Sequence, residues 1–278
     1  MVALVDDTLV GVCFLSAKED SNVRAISLLA VDPEYQKFRV GRRLMESAVQ
    51  LAKDEGAVSI RLVVNAHSTT SFPLYASIGF SVKEPMSLVV LPRGTVVSAP
   101  ESPADVDLSG WVVRMMKPED LPHCKTLADR IVGHNRVGDC EFFMELSAES
   151  GYRPYRPWVL EISSSDGKKE IAAFITGFTW DNHSVAISTV HWKYMVQHVL
   201  HNYFGPNYTD SQIEAAKAKG EEEEEPAILL PIVSQPDVFQ WCLNTLRMRV
   251  QKNELLMAFG EYEYAKEPSG VYMPGVEY

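Results

Sequence analysis

The chain has 278 residues, with 26 Lys and Arg against 37 Asp and Glu and a formal charge of −11; this balance excludes the basic face that a nucleic-acid binder needs to displace phosphate counterions. A hydrophobic content of 46% and a charged content of 23% exclude disorder as a description of the whole chain, and the length suits roughly two domains. No run approaches the ~18 apolar residues of a membrane span, and the opening residues lack a signal peptide's basic flank and apolar stretch, so the expectation is a cytoplasmic protein with no membrane partner. Cys13, Cys124, Cys140 and Cys242 lie far apart, with neither C-x-x-C nor metal-ligand spacing, and are expected to be buried thiols in a reducing compartment.

Aliphatic runs over 2–5 and 9–15, separated by Asp6-Asp7-Thr8, predict a hairpin, and 23–31 predicts a third strand stopped by Asp32-Pro33. Val40, Leu44, Ala48, Leu51 and Ala52 recur at helical spacing and predict a helix over 40–55, ended by Gly56. A nearly continuous apolar strand is expected over 58–64, a short helix over 71–78 stopped by Gly79, and further strand over 80–91. Alternating strands and helices imply an α/β layer with a right-handed crossover.

Between Pro92 and Gly110 the chain becomes rich in Pro, Ser, Gly and Asp without periodicity, which reads as a linker. Beyond it come a strand at 111–115, a helix near 121–131, a hairpin of 158–162 with 171–176, a helix over 190–203, a strand over 227–233, a helix over 237–246 and a strand over 250–262. His191, His198 and His201 share the helix at 190–203 but lack convergent partners, so no metal is expected, and the Glu221–Glu225 run reads as a solvated loop. The hairpin at 2–15 matches 158–178 in pattern, and 71–82 matches 238–250, as in a diverged repeat.

The segment that carries chemistry is 28–45. A strand ends, a tight loop follows, and a helix begins with its free N–H groups facing the loop, which is a ready anion site. Lys37, Arg39, Arg42 and Arg43 gather four cations at a helix N-terminus on an acidic protein, where the macrodipole disfavours them unless a polyanion docks.

The run Val31-x-Pro33-x-x-Gln36-x-x-Arg39-Val40-Gly41-Arg42-x-Leu44 resembles the acyl-CoA pyrophosphate loop of the GNAT superfamily of N-acetyltransferases, whose pattern is Gln/Arg-x-x-Gly-x-Gly/Ala. Downstream, Val63-Val64-Asn65 and Leu74-Tyr75-Ala76-Ser77-Ile78-Gly79-Phe80 are similar to that family's closing Asn and Leu-Tyr-x-x-x-Gly-Phe elements. The second half resembles a further GNAT domain at 112–121 and at 239–243, with an ending like that of tandem GNAT proteins at 268–274. The resemblance departs at three points: Arg39 stands where the loop has its first glycine, the first domain begins at its second strand, and the second domain has no pyrophosphate loop, with Cys242 at the position of Tyr75.

The resemblance implies an α/β (α+β) fold class: two tandem GNAT-like folds, each a mixed, twisted sheet flanked by helices. It divides the chain into residues 1–91 carrying the loop, a linker at 92–110, and a degenerate domain at 111–278. It also implies acetyl-CoA as co-substrate and direct transfer to a primary amine of a small or amino-acid-like acceptor. Leu29, Ala30 and Val31 would pair with the pantetheine arm, the Leu29 N–H would meet the oxyanion, and Gln36, Lys37, Phe38, Arg39, Val40, Gly41 and Arg42 would hold the pyrophosphate. Asn65 and Ser68 would touch the pantetheine or adenine side. Tyr75 would protonate the leaving thiolate, its phenol being neutral at pH 7. The family's usual base on the third strand falls at Ala25; His67 is a candidate in its place, beside a water chain or a group of the second domain. Two other function classes stand beside it: a non-catalytic acyl-CoA sensor or scaffold, and a pseudo-enzyme partner domain whose missing N-terminal segment would belong to a longer chain.

Overall fold

The computed structural model describes residues 1–17, 22–101, 106–134, 136–150, 153–163, 167–204 and 225–275. The Glu221–Glu225 tract lies outside them except for Glu225. Strands β1 (Val2–Val5) and β2 (Thr8–Ala17) form the expected hairpin. Its two-residue turn is Asp6-Asp7, with φ of 48° and 62°, the left-handed pair that matches the twist of the flanking strands. Next come β3 (Val23–Val31), α1 (Val40–Asp54), β4 (Ser59–Asn65), α2 (Ser71–Ile78) and β5 (Ser81–Val90). Helix α1 lays Leu44, Met45, Ala48, Val49 and Ala52 onto the sheet. Gly11 allows this approach, because a Cβ there would meet Leu44 Cδ1 at 3.0 Å and Val40 Cγ1 at 3.1 Å.

The second half runs β6 (Trp111–Met115), α3 (Leu121–Ile131), α4 (Val137–Ser150), β7 (Trp158–Ser163), β8 (Lys169–Ile175), β9 (Ser184–Ala186), α5 (Thr189–Tyr203), β10 (Ala227–Pro231), α6 (Pro236–Asn244), β11 (Arg249–Gly260) and β12 (Val271–Met273). Helix α4 carries no clean amphipathic stripe: Cys140 and Phe143 are buried while the adjacent Phe142 is exposed, so periodicity gives no warning of it. All four cysteines are free and buried. None of the described helices is long and apolar enough to cross a membrane, and no group of three or more His, Cys, Asp or Glu is placed to hold a metal ion among the described residues.

The strands assort differently from their order in sequence. One sheet runs β1-β2-β3-β4-β11-β5-β10 and the other β12-β9-β8-β7-β6. The segment 92–110 separates two halves in sequence, yet β10 and β11 from beyond it complete the first sheet. Residues 1–91 therefore do not close their own sheet. Each half sends its last long strand across: β11 inserts between β4 and β5, and β5 pairs with β10. With β10 taken by β5, the second sheet is antiparallel in every described pair, whereas the first keeps the parallel β3–β4 pair of a mixed sheet. The linker is itself docked, since Val97 is buried, its carbonyl lies 2.7 Å from His201 Nδ1, and Gln197 donates to the Ser98 carbonyl at 3.1 Å.

Two cores flank the first sheet. On the front, α1 and α2 cover Ile26, Leu62 and Met257. On the back, Ala25, Met86 and Leu256 share one cluster with Cys124, Leu127 and Ile131 of α3 and Phe174 of β8. This shared cluster makes the two halves one cooperative unit. Leu256→Ala, at a fully buried site, is expected to cost about 2–5 kcal/mol and to lower one single transition in urea unfolding; two separated transitions would contradict the interlock.

Candidate functional site

The loop after β3 is shaped by short-range bonds. Asp32 Oδ1 accepts from the Glu34 N–H at 2.9 Å at the start of the turn Pro33–Tyr35, and Gln36 Nε2 donates to the Val31 carbonyl at 3.3 Å. Lys37 and Arg39 have φ of 71° and 63°, a left-handed conformation that costs a side-chain-bearing residue roughly 1–2 kcal/mol. The two left-handed residues turn the chain into α1, which starts at Val40 with no side-chain cap. Helix geometry then leaves the N–H groups of Val40, Gly41 and Arg42 without intrahelical acceptors. Nothing in the fold requires a glycine at 41: a Cβ there would meet Val31, Leu29 and Leu74 only at ordinary van der Waals distance, 3.5–3.8 Å.

The four cations are not equivalent. Arg42 donates to Ser77 Oγ at 2.6 Å and lies 3.6 Å from Glu46, which ties it along the helix. Lys37, Arg39 and Arg43 are exposed, and Phe38 is 72% exposed at the loop tip.

Beside this loop the sheet opens. β3 and β4 pair only through Val23, Arg24 and Ala25 with Ser59, Ile60 and Arg61. Beyond that, a bulge in β3 between the partners of Phe14 and Leu15 leaves Ser27 unpaired, and the strands part. The direction of the main chain along the opening follows from β2. Cys13 donates its N–H to Met1 at 2.9 Å and accepts from the Met1 amino group at 2.8 Å, so its polar groups face β1. Asp32 donates to the Val10 carbonyl at 2.9 Å. By the alternation of antiparallel pairs, Ala30 and Leu28 bond β2, whereas Leu29 and Val31 turn their N–H and C=O groups toward the opening. Of the three residues expected to line a pantetheine arm through main-chain groups, Ala30 has its own committed to β2.

Tyr75 sits on α2 in the front core with Leu29, Val31 and Cys13, 9% exposed. Burial raises its phenol pKa, partly opposed by a hydrogen bond to the Ser71 side chain, so the group stays protonated at neutral pH. Asn65 and Ser68 shape the turn that leads into α2: Asn65 Oδ1 accepts from the His67 N–H at 2.8 Å, and Ser68 Oγ accepts from the Ser71 N–H at 3.0 Å. The His67 residue is exposed on that turn, and Ala25, at the position of the family's base, is fully buried.

The second half forms the wall behind the opening, with groups that no local motif announces. Arg61 Nη1 donates to His134 Nε2 at 3.2 Å and stacks on the Tyr262 ring at 4.9 Å. Burial first, and then the charges of Arg61, Arg136 and Lys266, hold His134 down at about 3, so it is a neutral acceptor. Strand β11 places Glu254 opposite Asn65, 5% exposed and 2.7 Å from Lys252 Nζ. Their position depends on a pairing between residues far apart in sequence, which the pattern around 250–262 does not specify.

Residues 1–80 match the family described as Acetyltransferase (GNAT) family. Among curated relatives, a spermidine N(1)-acetyltransferase from Thermoplasma acidophilum is 30% identical over 82 residues, covering 30% of this chain and 50% of that protein. The ribosomal protein bS18-alanine N-acetyltransferase of Escherichia coli is 36% identical over 53 residues, covering 19% of this chain and 36% of that protein. The chain thus spans half or less of the length of these relatives. A Pyrococcus horikoshii crystal structure with a provisional acetyltransferase designation aligns over 99% of this chain and 78% of its own, with a TM-score of 0.60 at 14% identity. A tandem GNAT protein from the clavulanic acid biosynthesis pathway aligns over 94% of this chain and 83% of its own, with a TM-score of 0.53 at 12% identity. At these identities the two structures speak to fold. Residues 1–80 thus match the acetyltransferase (GNAT) family model, and the fold of the described chain is similar to that of the tandem GNAT protein.

Proposed function

We propose that the chain is an acetyl-CoA-dependent N-acetyltransferase acting on a primary amine, with residues 1–91 holding the co-substrate and strands β10 and β11 completing that domain. The observation that carries this reading is the juxtaposition of two sets of main-chain donors, those at the start of α1 and those of Leu29 and Val31 along the opening. A diphosphate suits the helix start, where N–H groups and the macrodipole favour an anion. An amide-bearing arm suits the open edge of β3, which it would extend as a further strand.

In this reading the acceptor nitrogen attacks the thioester carbonyl and forms a C–N bond. The Leu29 N–H donates to the oxyanion as charge develops; donors of this kind are worth roughly 2.7–4 kcal/mol. Collapse breaks the C–S bond, and Tyr75 passes its phenolic proton to the departing thiolate. The nitrogen's proton leaves by solvent or through a group outside Ala25, whose methyl side chain carries none. The names of both curated relatives denote amine acceptors, the N1 of spermidine and the amino group of an alanine, in line with this choice. Acceptor contacts come from both halves, because β11 lies against β4 at the edge of the opening.

Two variants test the reading. Gly41→Ala is expected to weaken acetyl-CoA binding by about tenfold in calorimetry while thermal stability holds or rises, since Ala is the better helix former by ~0.8–1 kcal/mol; unchanged affinity would contradict a diphosphate at this helix start. Tyr75→Phe is expected to slow thiol release by about 10²-fold with acetyl-CoA affinity retained; unchanged turnover removes Tyr75 from the chemistry. Acetyl-CoA binding without thiol release across a panel of amines would support the sensor instead.

A further inference from the structure

The second half carries an open groove of about 750 Å³, lined by the end of β6, the start of α3 and helix α4. Met115, Met116 and Leu121 come from the first two, Met144 and Ala148 from α4. Met115 is 51% exposed and Met144 half-buried. The lining is thus methionine-rich, and flexible thioether side chains repack around apolar anchors of differing shape. No lining residue belongs to β3, to the loop after it or to α2, so the groove is a surface of its own.

Helix α4 has apolar side chains on two faces. Cys140 and Phe143 are buried, whereas Glu141, Met144, Glu145 and Ala148, at the i, i+3, i+4, i+7 spacing of one helix face, line the groove. Beside the methionine runs an acidic row, Glu141, Glu145 and Glu149, one residue every four. The helix has four acids and no Lys or Arg, and among the described residues no cation pairs with these three. Like charges at i, i+4 repel, and Glu149 stands near the helix C-terminus, where the macrodipole disfavours an anion. A cationic partner relieves both. Within the lining itself, two carboxylates face one guanidinium, that of Arg156.

We propose that this groove docks a basic amphipathic helix of a partner protein, its apolar stripe on Met115, Met116 and Met144 and its Lys or Arg side chains against the acidic row. An amphipathic helix laid into an apolar groove is a recurring mode of recognition, and charge selects this occupant. An acidic or uncharged segment leaves the row unrelieved, and a second copy of the chain brings a formal charge of −11 to it. The lining stretch from Glu141 to Ala148 is about two helical turns, ~10 Å long, which a segment of two to three turns covers.

The test is fluorescence anisotropy, titrating the whole chain onto labelled peptides of about three helical turns: a Leu/Lys amphipath, a Leu/Glu amphipath with the same apolar pattern, and a Ser/Lys peptide of the same charge as the first. The Leu/Lys peptide is expected to bind at least about tenfold more tightly than either of the others. Glu145→Lys should weaken that binding by about tenfold and Met115→Gln by about threefold. Asp54→Lys, an equal change of charge at the end of α1, should leave it within about twofold. All three positions are exposed, so the variants are expected to fold, and thermal melts check this. Equal affinity for the Leu/Lys and Ser/Lys peptides, or equal losses in Glu145→Lys and Asp54→Lys, reports only general attraction to an acidic protein and overturns the proposal. Tight binding of the Leu/Glu peptide, or binding of none of the three, overturns it as well. A dimer in sedimentation that Met115→Gln splits assigns the groove to a second copy and likewise overturns it.

Discussion

Main-chain hydrogen bonding along β3 is the constraint on which the site depends. A strand inside a sheet bonds alternately to its left and right neighbours, and β3 has a complete neighbour on one side only. Because Cys13 gives its own polar groups to the start of β1, β2 engages β3 through Leu28, Ala30 and Asp32, and Leu29 and Val31 are turned outward. β4 reaches only as far as Ala25. The Val31 carbonyl accepts from the Gln36 side chain; the groups of Leu29 and the Val31 N–H need partners, and they lie next to a helix start whose N–H groups are in the same position. Two ordinary consequences of backbone geometry are thereby placed side by side.

The remainder of the molecule holds that opening in place. Helix α1 is fixed to the front of the sheet through Gly11 and its apolar stripe, which sets the helix start beside β3. On the back, the crossing of β11 and β5 fastens the second half to the first, so that α3, His134 and Tyr262 stand behind the base of the splay. The sequence of the second half has no Gln-x-x-Gly-x-Gly run, yet it supplies the strand that pairs with β4 and the carboxylate opposite Asn65. Its contribution is to complete a sheet and to furnish polar groups at the edge of the opening.

Much of this was legible in the residues themselves. The helix over α1 follows from Leu44, Ala48 and Ala52 at helical spacing, the end of α2 from Gly79, whose φ of 113° suits a glycine, and the end of β3 from Asp32-Pro33. The pairings that local pattern does not show share one cause, which is distance in sequence. The pairing of β11 with β4 and β5 depends on partners more than a hundred residues away; local periodicity shows a strand at 250–262 but not its neighbour. Residues 111–278 therefore read as a self-contained domain. The alternation that commits Ala30 to β2 likewise depends on the register with Val12, and the buried pairing of Glu254 with Lys252 appears only once β11 is in its place. Helix α4 was missed for a local reason, the adjacent Phe142 and Phe143 that blur its apolar face.

The most direct test of the account is amide hydrogen exchange measured with and without acetyl-CoA. The outward-facing amides of Leu29 and Val31, together with Val40, Gly41 and Arg42, should slow by about tenfold or more on binding, while Leu28 and Ala30, already bonded to β2, change little. Uniform protection along β3, or none at Leu29 and Val31, would contradict it.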